Sequence, residues 1–122
     1  MIGFAVASAA AALGVGIHGF VGSRRVVQPL LKARDLTPAS RWLMFLCWHA
    51  VTVMLAALAG GFAWAALDPA ANHAGGLLAA FTGALAVLTL YVCARAGFAA
   101  WRVPPFVLFT LMTAAAGWNA LT

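Results

Sequence analysis

Two histidines lie inside strongly apolar stretches of this sequence. His18 stands in "VGIHGFVG", and His49 stands in "FLCWHAVTV" directly after Trp48. An ionisable side chain within an apolar helix is a candidate functional group, because lipid solvates it poorly and such residues are rare there. These two positions are therefore the first candidates for a site in this chain.

The two histidines are expected at a similar depth. His18 comes six residues before Arg24, about 9 Å along a helix, and His49 comes eight residues after Arg41, about 12 Å along a helix. If the helices that carry them run in opposite directions, both side chains approach from the same membrane surface. The sequence thus allows the two imidazoles to face each other.

Such a pair has a structural and a functional interpretation. In the structural one, which we favour, each imidazole bonds to a hydroxyl or carbonyl of a neighbouring helix. In the functional one, His18 and His49 ligate the iron of haem b axially, or the site holds a quinone or a lipid head group or handles protons. Trp48 and Thr52 would complete this polar core. The basic residues that would pair with propionates at the surface are Arg24, Arg25 and Arg41.

The composition requires a membrane as the solvent. Hydrophobic residues make up 66% of the 122 residues and charged residues only 7%, with a mean hydropathy of +1.02. A soluble domain is closer to half apolar and a quarter charged. The net charge of +5 then favours contact with anionic lipid head groups, and no nucleic-acid partner is expected. Cys47 and Cys93 show no metal-binding or disulfide spacing.

Four apolar windows are long enough to span a bilayer as helices, and they cover residues 2–22, 42–66, 76–94 and 104–121. Thr37 and Pro38 are typical of an N-cap and a first helical position. Residues 26–32 resemble a short helix in the membrane interface, and Pro29 argues against a continuous extension of the first span. The sequence predicts an all-α integral membrane protein, a single-domain four-transmembrane-helix antiparallel bundle.

The basic residues predict how this bundle is oriented. All seven fall on the first and third connectors, residues 23–41 and 95–104, and none on the second, residues 67–75. Cytoplasmic connectors carry the excess of Lys and Arg. We therefore expect an N-out/C-out protein of a bacterial-type inner membrane, with the second connector outside. The topology anchors are Arg24, Arg25, Lys32, Arg34, Arg41, Arg95 and Arg102.

Each span has a face of small and polar residues that is typical of helix packing in lipid. On the first span this face is Ala7, Ala11, Gly14, His18 and Gly22, and on the second it is His49, Thr52, Ala56, Gly60 and Ala63. The third span offers Ala79, Thr82, Ala86, Thr89 and Cys93, and the fourth offers Thr110, Thr113, Ala114 and Gly117. Both histidines fall on these predicted packing faces.

The functional expectations follow from what the spans lack. Neither Asp35 nor Asp68, the only acids, falls in a span, which disfavours a proton- or sodium-coupled transporter. No nucleotide-binding or hydrolytic motif is present, so an enzyme is the less favoured class. We expect a non-catalytic accessory or assembly subunit of a membrane complex, or a homo-oligomer. The alternatives are a haem- or quinone-binding bundle, and a small-molecule transporter or channel.

Overall fold

The computed structural model describes all of residues 1–122 and consists of four helices joined by short connectors. Three of these helices are long and apolar enough to cross a membrane, counting the third from the 3₁₀ turn Pro69–Ala71 that leads into it. The helices are α1 (Ile2–Lys32), α2 (Pro38–Leu67), α3 (Asn72–Ala96) and α4 (Pro104–Leu121). The predicted all-helical class is therefore confirmed, and a membrane location is plausible.

The helix boundaries follow local sequence signals. The Thr37 hydroxyl accepts a hydrogen bond from the Ser40 N–H at 3.2 Å, and Pro38 opens α2, as predicted. Helix α4 begins at Pro104. Helix α3 ends at Ala96 and is followed by Gly97, whose φ of 78° lies in the left-handed region that residues with a side chain rarely adopt.

Helix α1 differs from the prediction because it continues through Pro29 to Lys32. Its middle is π-helical over Ile17–Val21 and again over Ser23–Val27. Proline disrupts an α-helix because its ring meets the carbonyl one turn earlier and its nitrogen cannot donate. The π-turns before Pro29 are wider than α-helical turns and change the position of those carbonyls. The helix can therefore continue through the proline without interruption. The first connector is correspondingly short and covers residues 33–37.

The helices form a ring in which each neighbour is antiparallel to the next. Helix α1 packs extensively against both α2 and α4, and α4 packs extensively against α3. Helices α2 and α3 touch more sparsely. Gly61 of α2 approaches Leu78 of α3, and Ala65 approaches Gly75, so these contacts lie near the connector that joins the two helices.

Large side chains of α2 and α4 pack into the core beside a small-residue face of α1. The α1 face was predicted correctly for Ala7, Ala11 and Gly14, which are buried. The largest side chains buried in the core are Phe4, Leu55, Leu58, Phe62, Phe109 and Met112. Small residues on one helix thus leave room for large residues from its neighbours.

This arrangement corrects the predicted faces of α2 and α4. His49, Ala56 and Gly60 of α2 are exposed, as are Thr110 and Ala114 of α4. The prediction assumed that small residues pack against small residues on every helix. Because α1 already supplies the small surface, α2 and α4 turn their large apolar side chains inward instead. On α3, buried Ala79, Thr82 and Cys93 agree with the predicted face.

Each extensively packed pair of helices is also joined by a polar contact. The Gly3 N–H donates to Asn119 Oδ1 at 2.7 Å, which links α1 to α4. The Ser8 hydroxyl donates to the Ala59 carbonyl at 2.8 Å between α1 and α2. Thr82 and Thr113 join α3 to α4 through their hydroxyls, 2.9 Å apart. These bonds give polar groups partners within the bundle.

The antiparallel ring gathers all seven basic residues at one end of the bundle, which we call the basic end. They lie toward the C-termini of α1 and α3, in the connectors, or close to the N-terminus of α2. The basic end consists of Arg24, Arg25, Lys32, Arg34, Arg41, Arg95 and Arg102.

Candidate functional site

A cavity of about 390 Å³ lies between α1, α2 and α4 in the half of the bundle nearer the basic end. This volume falls in the usual range for ligand pockets, roughly 300–1,000 Å³. Its wall is mostly apolar, with Val21, Leu55 and Leu108 as representative lining residues from the three helices. The nitrogen-bearing side chains among the lining residues are His18, Arg25 and Trp48.

His18 is fixed by two contacts from α2. Its Nδ1 lies 2.9 Å from the Thr52 hydroxyl, with the direction of the hydrogen bond set by the tautomer. Its ring stacks on the Trp48 indole, with 3.9 Å between ring centroids and 14° between the planes. Trp48 and Thr52 are four residues apart and share one face of α2, so a single turn of helix presents both to His18.

The shape of α1 at this point suits the close approach of Trp48. A methyl group added to Gly22 would overlap the indole ring, so only glycine gives the ring this position. The surrounding turns are π-helical, and the Ser23 hydroxyl donates to the Gly19 carbonyl within them. Short π-helical stretches are frequent at functional sites.

Two nitrogen-bearing side chains of the lining, those of Trp48 and Arg25, make no hydrogen bond within the chain. Trp48 Nε1 is buried without a partner, although a buried N–H group normally has one. The guanidinium of Arg25 likewise makes no hydrogen bond within the chain, whereas Arg41 donates to the Leu31 carbonyl at 3.3 Å. The lining therefore includes one exposed cation, Arg25, and no carboxylate.

The structure does not bring His49 into this cavity. Its ring packs edge-on against Phe45, with centroids 4.3 Å apart, and it is exposed on the outside of α2. Successive residues of an α-helix are turned by about 100°, so the residue after the inward-facing Trp48 points elsewhere. The cavity is thus lined by the His18 imidazole and not by that of His49, and axial haem ligation by the pair stays a prediction.

The other predicted site residues separate into three groups. Thr52 and Trp48 join His18, and Arg25 lies on the cavity wall. Arg41 instead binds the C-terminal end of α1 through the Leu31 carbonyl. Arg24 is exposed and does not line the cavity.

Sequence reasoning missed the contribution of α4. Pro104, Pro105 and Leu108 line the cavity opposite His18. The "VPPF" motif was informative only as the start of a helix. The two prolines at the start of the fourth span are the only unusual residues there. They do not indicate which other helices pack against them.

The arrangement is suited to binding rather than to bond-breaking chemistry. It combines an apolar wall with one imidazole and one cation, and no acidic side chain lines it. Comparison with known proteins adds no functional assignment: no protein-family model, no curated protein and no solved structure matches this chain significantly.

Proposed function

We propose that the protein is a small multi-pass membrane subunit without catalytic activity, which associates with a partner helix through the outside of α2. The partner helix belongs to a second copy of the chain or to a larger membrane complex. The proposal rests on one observation, the exposure of His49 on a helix that is apolar enough to cross a membrane.

His49 belongs to a continuous surface on α2. Val53, Ala56 and Gly60 follow it at spacings of four, three and four residues, which place all four on one side of a helix. All four are exposed. We call this surface the α2 outer face.

The α2 outer face has the features of a helix–helix contact in lipid. Nothing lies within 4 Å of a methyl group placed on Gly60, so a second backbone can approach closely. Small residues at such spacing favour close helix packing, and a polar side chain adds an interhelical hydrogen bond. An imidazole left in contact with lipid chains is unfavourable, and a partner helix would supply its missing hydrogen bond.

The proposed orientation keeps four spans, with α4 as the fourth, and places the basic end in the cytoplasm of a bacterial-type inner membrane. Both termini and the 68–71 connector then face outward. The support is the clustering of all seven basic residues at one end, together with the tendency of cytoplasmic connectors to carry Lys and Arg. Trp64 and Trp118, both exposed toward the other end, suit the opposite head-group layer.

Cross-linking of single cysteines tests this association. In a chain whose Cys47 and Cys93 are replaced by serine and alanine, Ala56→Cys should form cross-links in native membranes. Val107→Cys, on an exposed part of α4, is the matched control and should not. A ladder of multiples of the chain identifies a second copy, and a cross-link to a different mass identifies a partner protein.

Substitution of the polar residue gives the second arm of the test. His49→Leu should reduce cross-linking at position 56, because it removes the hydrogen bond across the contact. Equal cross-linking at positions 56 and 107, or none at either, would contradict an association through the α2 outer face.

A further inference from the structure

We propose that the cavity between α1, α2 and α4 binds an anionic phospholipid, with its phosphate held at Arg25 and part of an acyl chain lying along the apolar wall. This site is separate from the α2 outer face, and the inference does not depend on the association proposed above. It concerns the polar residues of the wall, His18, Arg25 and Trp48.

The position of the cavity fits a ligand that is polar at one end and apolar along its length. Arg25 belongs to the basic end, whereas Gly14, at the other extreme of the α1 wall, lies roughly 15 Å deeper along the helix. Between them the wall is apolar apart from His18. A water-soluble anion would gain little from such a wall, because only an apolar body benefits from it.

The charge of the wall decides which head group fits. Arg25 lacks a hydrogen-bonding partner in the chain, and no acid lines the cavity. A guanidinium presents several donors in the geometry that matches phosphate oxygens. Basic pockets between transmembrane helices at the cytoplasmic surface are known to bind anionic lipid head groups.

Trp48 and His18 supply the second feature of the site. Trp48 Nε1 is buried, so the indole contributes its apolar ring surface to the wall, against which part of an acyl chain can pack. The indole stacks on His18, whose Nδ1 pairs with the Thr52 hydroxyl, so the ring is held in place before any ligand arrives. A preformed wall of this kind lowers the ordering cost of binding.

Lipid titration of the purified full-length chain tests the proposal. In an uncharged detergent, dioleoyl phosphatidylglycerol should bind at saturable stoichiometry by native mass spectrometry, and dioleoyl phosphatidylcholine should bind weakly. Arg25→Gln should weaken binding of phosphatidylglycerol about tenfold, since it removes a charge-assisted contact. Arg24→Gln is the matched control, because Arg24 is equally basic and exposed but lies off the cavity wall, and it should leave binding within about twofold.

Filling the cavity gives a test that does not change charge. Val21→Phe should weaken phosphatidylglycerol binding, whereas Leu13→Phe, on an exposed part of α1 outside the wall, should not. The proposal is overturned if both arginine variants lose binding equally, if Val21→Phe has no effect, or if phosphatidylcholine binds as tightly. Competition by millimolar inorganic phosphate alone, or binding of a ubiquinone analogue that ignores Arg25→Gln, would assign the cavity to a different ligand. Unfolding midpoints of all variants identify any loss that comes from misfolding.

Discussion

At the scale of single residues, the cluster formed by His18, Trp48 and Thr52 shows how an apolar helix bundle can hold an ionisable side chain. The imidazole has a hydroxyl partner on one edge and an aromatic ring over one face. Both partners come from one turn of α2, so a small rotation of that helix would remove the two contacts together. The position of His18 is therefore coupled to the packing of α1 against α2.

A double-mutant cycle measures this coupling. His18→Gln and Thr52→Val should each lower the unfolding midpoint in detergent, and the double variant should cost less than the sum of the two. The expected interaction energy is about 0.6 kcal/mol and at most about 1.7 kcal/mol, the range found for hydrogen bonds between membrane helices.

The cycle of His18→Gln with His49→Gln is the internal control. Because His49 packs on Phe45 outside the cavity, these two substitutions should be additive within about 0.3–0.5 kcal/mol. A strong interaction between the two histidines, with none between His18 and Thr52, would show that they share a site after all.

At the scale of helices, the wall of the cavity depends on how closely α1 and α2 approach at Gly22. The Trp48 ring occupies the space that a side chain at position 22 would need. At Gly19, three residues earlier, a methyl group would meet nothing within 4 Å. The two glycines lie in the same π-helical region but face different surroundings.

Alanine at these two positions should have opposite effects. Gly22→Ala should lower the free energy of unfolding by about 1–3 kcal/mol, because the added methyl group forces the indole to move. Gly19→Ala should be neutral or stabilising by up to about 1 kcal/mol, because alanine loses less backbone entropy than glycine in a helix. Unfolding in mixed micelles measures both, and similar effects of the two variants would argue against a close contact between Gly22 and Trp48.

The elements also show what the sequence can and cannot reveal. Thr37 and Pro38 fixed the start of α2 because a cap depends on adjacent residues alone. The burial of Ala7, Ala11 and Gly14 was likewise predictable from spacing on one helix. The inward face of α2 was not, because Leu55 and Phe62 pack inward only where a neighbour leaves room for them. The cavity combines residues of three helices, and no pattern in one segment indicates which segments meet.

At the scale of the whole molecule, all seven basic side chains lie at one end of the bundle. The two acids, Asp35 and Asp68, are too few to balance this uneven distribution of charge. This distribution supports the proposed orientation, which the helix arrangement by itself leaves open. The opposite end carries the 68–71 connector, in which Asp68 accepts a hydrogen bond from the Ala70 N–H at 2.9 Å. The two ends therefore differ strongly in charge.

Membrane-impermeant maleimide tests the orientation. In the cysteine-free background, Asn72→Cys should be labelled from outside intact cells, and Ala33→Cys should be labelled only after the membrane is opened. Labelling of both positions after permeabilisation serves as the control for reactivity. The reverse pattern would invert the topology and place Arg25 and the mouth of the cavity on the outer surface.

The sparse contact between α2 and α3 has a mechanical consequence. These two helices form a weakly packed seam, and the 68–71 connector that joins them is its hinge. In a lipid bilayer, opening this seam would expose apolar surface to acyl chains rather than to water. It would therefore cost van der Waals packing between the helices but no hydrophobic free energy. The other three helix pairs are held by extensive packing and by polar bonds. Opening motions of this bundle, on the microsecond-to-millisecond scale of helix motions, should therefore begin with a movement of α3 and α4 away from α2.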